Sequence, residues 1–280
     1  VKIIETIEKV RREVQNAKSK GQTVGFVPTM GYLHEGHLSL IDEARKKHDI
    51  VVVSIFVNPL QFGPNEDLDR YPRDIERDER LANGAGADLL FYPSVDEMYP
   101  VEMPMTIHVN KGVDVLCGAS RPGHFDGVAT VVMKLFQIVQ PTEAFFGQKD
   151  AQQVAIIMNM VSAFNIPVDI VICQTIREED GLAKSSRNVY LSDGERNEAS
   201  FLYRTLLYGK ELIENGERIP QLVLDKMNTK LQSGSGKLDY LSILRYPSLD
   251  RPEELNGTII LAIAYQYKNA RLIDNLILEI

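Results

Sequence analysis

The stretch that most constrains this chain runs from Thr23 to Val57. "TVGFVP" and "DIVVVSIFV" are short, apolar and rich in β-branched residues, the composition of strands buried on both faces. Between them, "EGHLSLIDEARKKH" sets Leu38, Ile41 and Arg45 at helical spacing and gathers cations in its last turn. Strand, helix and strand in that order form a βαβ unit, so the flanking strands run parallel. A glycine turn, "MGYLHEGH", joins the first strand to the helix and sets His34 and His37 three residues apart.

The alternation continues along the chain. "PRDIERDERLANGAGADLLFYP" reads as a charged helix, a glycine-rich exit and the strand "DLLFY". "GVATVVMKLFQIVQP" is apolar nearly all round, as a buried helix is. Strand "EAFFG", helix "DAQQVAIIMNMVSAFN" with Asp150 as its expected cap, and strand "PVDIVIC" follow. The opening "VKIIETIEKVRREVQ" reads as an amphipathic helix. This pattern predicts an α/β fold with a Rossmann-like, doubly wound parallel sheet. Near residue 176 the character changes, because "IREEDGLAKSSRNVYLSDGE" is polar and too long for a tight connection. Beyond it, two helical patterns precede three strand-like runs, "KLDYLSILRY", "GTIILAIAYQY" and "ARLIDNLILEI". The expected organisation is a Rossmann-like domain over 1–175 and a smaller C-terminal α+β lid domain over 176–280, with "EEDGLAKSSRN" as the moving edge.

Composition narrows the function classes. A chain of 280 residues with 44% hydrophobic and 25% charged residues is of globular type, and no apolar run approaches the roughly 20 residues of a bilayer span. The start lacks the apolar core of a secretion signal, and Cys117 and Cys173 are too few for a disulfide framework or a structural zinc cluster, so the expected location is the cytoplasm. A net charge of −8 disfavours nucleic acid as a partner. A small anion needs only local positive charge.

Two residues three apart share a helical face, and a helix N-terminus after a parallel strand is where an α/β fold binds phosphate. Imidazoles at His34 and His37 would add donors there. "HEGH" superficially suggests a zinc protease, but that motif needs histidines at i and i+4. Core packing is the remaining alternative. The turn "FFGQKDAQQ" carries Gly147, Lys149 and Asp150 at the end of another parallel strand, so Lys149 either approaches a nucleotide or is a solvated surface cation. "KSSRN" packs Lys184, Ser185, Ser186 and Arg187 into one polar loop, which suits polyphosphate oxygens or is an ordinary turn. A Cys117/His124 hydrolase has no local signature in its favour.

Taken together, "PTMGYLHEGHLSL", "FVNPLQF", "RPGHFDGV", "FFGQKDAQQ" and "DGLAKSSRN" resemble, in order and spacing, the pantoate–β-alanine ligase family. The resemblance spans Val24 to about Tyr190. It implies ATP-dependent condensation of pantoate with β-alanine through a pantoyl adenylate, releasing AMP and pyrophosphate, with magnesium accompanying ATP and a homodimer as the assembly. By resemblance the ATP site comprises Met30, Gly31, Tyr32, Leu33, His34, Glu35, Gly36 and His37. It also takes Gly147, Gln148, Lys149, Asp150 and Ile176, and the loop Lys184, Ser185, Ser186 and Arg187. His37, supported by His34 and Lys149, is the catalytic group. Gln61 and Gln153 are implied for pantoate, with Asn58, Tyr71, Arg121 and His124 as further substrate-site candidates. Asp78, in "RDIERDER", is a candidate magnesium ligand whose alternative is a surface helix charge. Lys184 departs from the family pattern, where the position before "SSRN" is commonly apolar. Plain adenylyl transfer to another acceptor and a non-catalytic nucleotide sensor are the competing functions.

Overall fold

The computed structural model describes residues 1–64, 66 and 68–280. Six parallel strands form one sheet: β1 (Lys2–Ile4), β2 (Val24–Thr29), β3 (Ile50–Ile55), β4 (Leu89–Phe91), β5 (Glu143–Gly147) and β6 (Asp169–Cys173). Their order is β1-β4-β3-β2-β5-β6. The chain steps one way from β2 through β3 to β4 and the other way from β5 to β6, which puts the switch point between β2 and β5. In a sheet of this kind the crevice outside the carboxyl ends at the switch is where ligands bind. The opening segment is not one helix. Lys2–Ile4 pairs in parallel with Leu89–Phe91, and Thr6 then caps α1 (Ile7–Ser19) by accepting from Lys9 N–H. The apolar pair Ile3 and Ile4 precedes a capping residue, and that combination ends a strand and starts a helix.

Helices cover the sheet as the sequence predicts. α2 (Glu35–Lys47) and α3 (Ile75–Gly84) pack against each other, and α1 packs against α6 (His124–Val139). Along the chain, the short helices α4 (Val95–Met98) and α5 (Leu116–Ser120) follow α3 and precede α6. α6 buries eleven of its sixteen residues, which explains its nearly uniform apolar sequence. Val27, Leu33, Ile41, Val51, Val53, Leu90 and Phe145 belong to one core around β2, β3 and α2.

α7 (Ala151–Ala163) precedes β6; α8 (Asp193–Ala199), α9 (Phe201–Glu214) and α10 (Pro220–Leu231) follow it. The chain ends in an antiparallel sheet of β7 (Lys237–Arg245), β8 (Thr258–Gln266) and β9 (Arg271–Glu279), in that order. Leu202, Leu206 and Ile213 of α9 and Val223, Met227 and Leu231 of α10 share a core with Ile259, Leu261 and Ile263 of β8. By contacts the chain forms two compact units. The first comprises 1–110, 121–147 and 156–174; the second comprises 111–120, 148–155 and 175–280. The unit holding the antiparallel sheet thus also takes in two stretches from before residue 176.

Candidate active site

Beyond Thr29 the chain turns through Gly31 and Tyr32, both with positive φ (84° and 52°), and enters α2 at Glu35. His34 is the N-cap, with extended backbone. Its Nδ1 accepts from Gly36 N–H at 3.1 Å, and His37 Nδ1 accepts from His34 N–H at 3.3 Å. This is a reciprocal capping box built from two imidazoles, where Ser or Thr with Glu is the usual pair. A backbone N–H can only donate, so each Nδ1 is an acceptor and the ring proton of each neutral imidazole sits on Nε2. The rings lie 4.1 Å apart between centroids, tilted by 40°. Gly36 is needed for the approach: a Cβ there would stand 2.9 Å from His34 Cε1 and 3.0 Å from Nδ1.

A second group surrounds Gln61, itself buried. Its Nε2 donates to Met30 Sδ at 3.1 Å and its Oε1 accepts from Asn58 Nδ2 at 3.2 Å. Asn58 also donates to the Gly127 carbonyl and accepts from Leu60 N–H and Tyr99 O–H. Both its side-chain polar atoms are engaged inside the protein, where Nδ2 holds Gln61. Burial pushes the Tyr99 phenol up, above its ordinary range, which keeps it a donor. Arg121 and His124 are likewise turned to the protein. Arg121 forks onto Glu66 at 2.9 and 2.5 Å and its Nη1 lies 3.0 Å from His124 Nε2, while His124 Nδ1 lies 2.8 Å from the Gln61 carbonyl oxygen. An arginine can only donate, so His124 carries its proton on Nδ1 and gives it to Gln61. The Arg121 guanidinium holds the Glu66 carboxyl below its usual range against the opposing effect of burial. Tyr71 stacks edge-on with Phe62.

Asp78 is not a surface helix charge. It is 1% exposed, and its two oxygens accept from Tyr32 N–H and Leu33 N–H, each at 2.7 Å. Among the described residues no three His, Cys, Asp or Glu side chains are grouped to hold a metal ion. A cavity of about 530 Å³ opens at the carboxyl ends of β2, β3 and β4, with Met30, Tyr32, Phe56, Arg73, Asp78 and Tyr92 in its wall.

The remaining candidates belong to the second unit, apart from Gly147, the last residue of β5. Gln148, Lys149 and Asp150 form one 3-10 turn ahead of α7. Asn275 of β9 holds that turn: its Nδ2 donates to the carbonyls of Gln148 and Lys149 at 3.0 Å, and its Oδ1 accepts from Gln148 Nε2. Next to it, Asp274 forks onto Arg177 at 2.7 and 2.9 Å, and that guanidinium lies 3.6 Å from the Tyr203 ring centroid. Among the described residues no carboxylate pairs with the Lys149 ammonium. Of the adjacent glutamines, Gln152 is buried and donates to Gly112 and Val115 carbonyls, whereas Gln153 is only half-buried. The Ile176 carbonyl accepts from Lys184 N–H, and the Lys184 ammonium lies 3.8 Å from Glu178. Ser185 caps a 3-10 turn over Ser186–Tyr190 that includes Arg187. Asp274 and Asn275 escaped sequence reading, although two polar residues inside "RLIDNLILE" are the signal of a buried polar pair.

The geometry has close counterparts. A family model described as pantoate-beta-alanine ligase matches residues 2–277. A pantothenate synthetase of Bacillus cereus is 57% identical over 281 residues, covering 100% of both chains. One from Halalkalibacterium halodurans is 57% identical over 273 residues, covering 97% of this chain and 96% of that one. The crystal structure of pantothenate synthetase from Thermus thermophilus superposes with a TM-score of 0.92 at 45% identity over 99% of each chain. Pantoate-beta-alanine ligase from Francisella tularensis, complexed with beta-gamma ATP and beta-alanine, does so with a TM-score of 0.79 at 36% identity, covering 99% of this chain and 97% of that one. A match over nearly the whole length, in sequence and in fold, assigns this chain to the pantoate-beta-alanine ligase family of enzymes.

Proposed function

We propose that this ligase activates pantoate with ATP and passes the pantoyl group to β-alanine, giving pantothenate, AMP and pyrophosphate. A pantoate carboxylate oxygen attacks the α-phosphorus and the bond to pyrophosphate breaks. The β-alanine amine then attacks the acyl carbonyl, the C–O bond to AMP breaks, and the amine loses a proton. The observation that carries the reading is the imidazole capping box after β2, beside the switch point of the sheet. A helix N-terminus capped by two imidazoles, each with Nδ1 on a backbone N–H, is a setting of the kind that favours an anion, where the barrier comes from a carboxylate approaching a polyphosphate. With Nδ1 engaged by a backbone N–H, His37 acts as a neutral hydrogen-bond donor to phosphate oxygen and need not release its proton. Pyrophosphate is a good leaving group without it.

Gln61 and Gln153 are assigned to pantoate, because an amide can meet both hydroxyl and carboxylate without adding a charge that opposes the attack. Lys149, Ser185, Ser186 and Arg187 are assigned to the phosphates. Magnesium accompanying ATP would supply neutralising charge at the phosphates. With its oxygens on backbone amides, Asp78 is not assigned to it. A homodimer is part of the proposal, with sedimentation as its measurement.

The test uses pantoate labelled with ¹⁸O in its carboxylate. AMP should form only when ATP, pantoate and β-alanine are all present, and it should carry one ¹⁸O. ADP formation, or label in inorganic phosphate, would replace the adenylate with an acyl phosphate. AMP release without the three-way dependence would reject the ligase reaction.

A further inference from the structure

We propose that Asp78 of α3 is the positioning residue that sets the reach of His34 and His37. The proposal rests on the reading that these rings serve the phosphates. Gly31 and Tyr32 both adopt the left-handed region, which a tyrosine rarely occupies and which persists only where surroundings over-determine it. Asp78 supplies that determination. Its two oxygens clamp the consecutive N–H groups of Tyr32 and Leu33, and charge-assisted bonds at 2.7 Å are strong ones. The same helix turn holds the Tyr32 ring, over which the Arg77 guanidinium lies at 5.0 Å. Leu33 is fully buried, so the residue before the N-cap is fixed through both backbone and side chain. The next backbone N–H, of His34, is the one bonded to His37 Nδ1. One carboxylate is thus linked through three consecutive amides to both imidazoles.

Stability does not account for this choice of residue. Burial holds the Asp78 carboxyl above its ordinary range, and the amide bonds and Arg77 offset only part of that. A carboxylate with a raised folded-state pKa contributes stability below its unfolded pKa, and that contribution is lost as pH rises through the folded one. Burial therefore opposes the ionised form that the two amides favour. A buried charge that clamps a left-handed turn two residues before the catalytic cap is kept for placement.

The test compares Asp78→Ala and the isosteric Asp78→Asn. An asparagine can satisfy one of the two N–H groups and sets its NH2 against the other. Single-turnover pyrophosphate release should fall about 100-fold in Asp78→Ala, the effect of a misplacement of about 1 Å, and by an intermediate factor in Asp78→Asn. The KM for pantoate should hold. In ¹⁵N-histidine spectra the ring signals of His34 and His37 should move, while those of His48 and His108 stay. Unmoved His34 and His37 signals in folded Asp78→Ala, or a rate loss that only follows the melting temperature, would overturn the proposal. Should both variants fail to fold, hydrogen exchange in the unaltered protein decides: Tyr32 and Leu33 amides must be protected, and free exchange of either overturns the clamp. The spectra and the exchange read position without turnover, so a failed ligase assay and a failed clamp are separate results.

Discussion

Gly36→Ala separates the stability of α2 from its chemistry. Glycine in a helix is worth roughly 0.5–1 kcal/mol less than alanine, so propensity alone favours the variant. Against this, the new Cβ would meet His34 Cε1 at 2.9 Å and Nδ1 at 3.0 Å. Ordinary contact begins near 3.5 Å, so the ring must retreat by roughly 0.6 Å or rotate out of the cap. Losing the Nδ1 bond to Gly36 N–H removes a capping interaction of roughly 1 kcal/mol. The two effects nearly cancel in stability, but they do not cancel in rate. A displacement approaching 1 Å costs about 100-fold, equivalent to about 2.7 kcal/mol of barrier. The assay is rapid-quench pyrophosphate release from ATP and pantoate without β-alanine, read beside a thermal melt. Gly84→Ala in α3, where a Cβ meets nothing within 4 Å, is the control and should keep the normal rate. A folded Gly36→Ala enzyme that forms pyrophosphate at the normal rate would refute the argument that the cap aims His34.

Other outcomes follow from the same contacts. Lys149→Ala should lower single-turnover pyrophosphate release by orders of magnitude while leaving the melting temperature nearly unchanged, since no described carboxylate pairs with the ammonium and its proposed role is on transition-state charge. Asn275→Ala strips the donor from the carbonyls of Gln148 and Lys149, so it should destabilise the protein by roughly 1–3 kcal/mol and raise the KM for ATP, measured by urea melts and steady-state kinetics. Glu66 has its carboxyl lowered chiefly by Arg121. That contribution is complete above its ordinary value of 4.5 and is lost as pH falls through the depressed folded-state value; urea melts at neutral and acid pH should show it, and Arg121→Ala should erase it. Imidazole ¹⁵N spectra should find the Nε2–H tautomer at His34 and His37 but Nδ1–H at His124; the reverse pattern would undo the hydrogen-bond assignments.

The frame was legible because burial writes periodicity. β2, β3 and most of α6 are apolar and buried, and the three C-terminal strands match their apolar runs to within a residue at either end. β1 was not legible, since three residues are too few to carry a period and their partner, β4, lies some 87 residues on. The histidine turn was legible as a place but not as a mechanism. Nothing in "LHEGH" says that each Nδ1 faces a backbone amide, because that depends on the extended backbone of His34 and on the absence of a Cβ at Gly36. Supporting residues were hardest to read. Asp78 sits in a run of charged residues, and only the packing of α3 against α2 turns it inward.

The use of imidazoles as caps carries a consequence for charge. Aspartate at the N-cap would be a stronger stabiliser of α2, but its negative charge would neutralise the partial positive charge that makes a helix N-terminus attract phosphate. Serine would preserve the field but would spend its oxygen as an acceptor and give a shorter reach. A neutral imidazole accepts from the helix through Nδ1 and carries its proton on Nε2, so in the proposed reaction capping and anion binding would draw on different atoms of one side chain. The arrangement works only in the neutral state: a second ring proton would point at a backbone N–H and break the cap. His34→Asp should therefore keep or raise the melting temperature while weakening ATP binding and slowing adenylation. A variant that stays folded and binds ATP as tightly as the unaltered enzyme would show that the helix field is not what the two histidines protect.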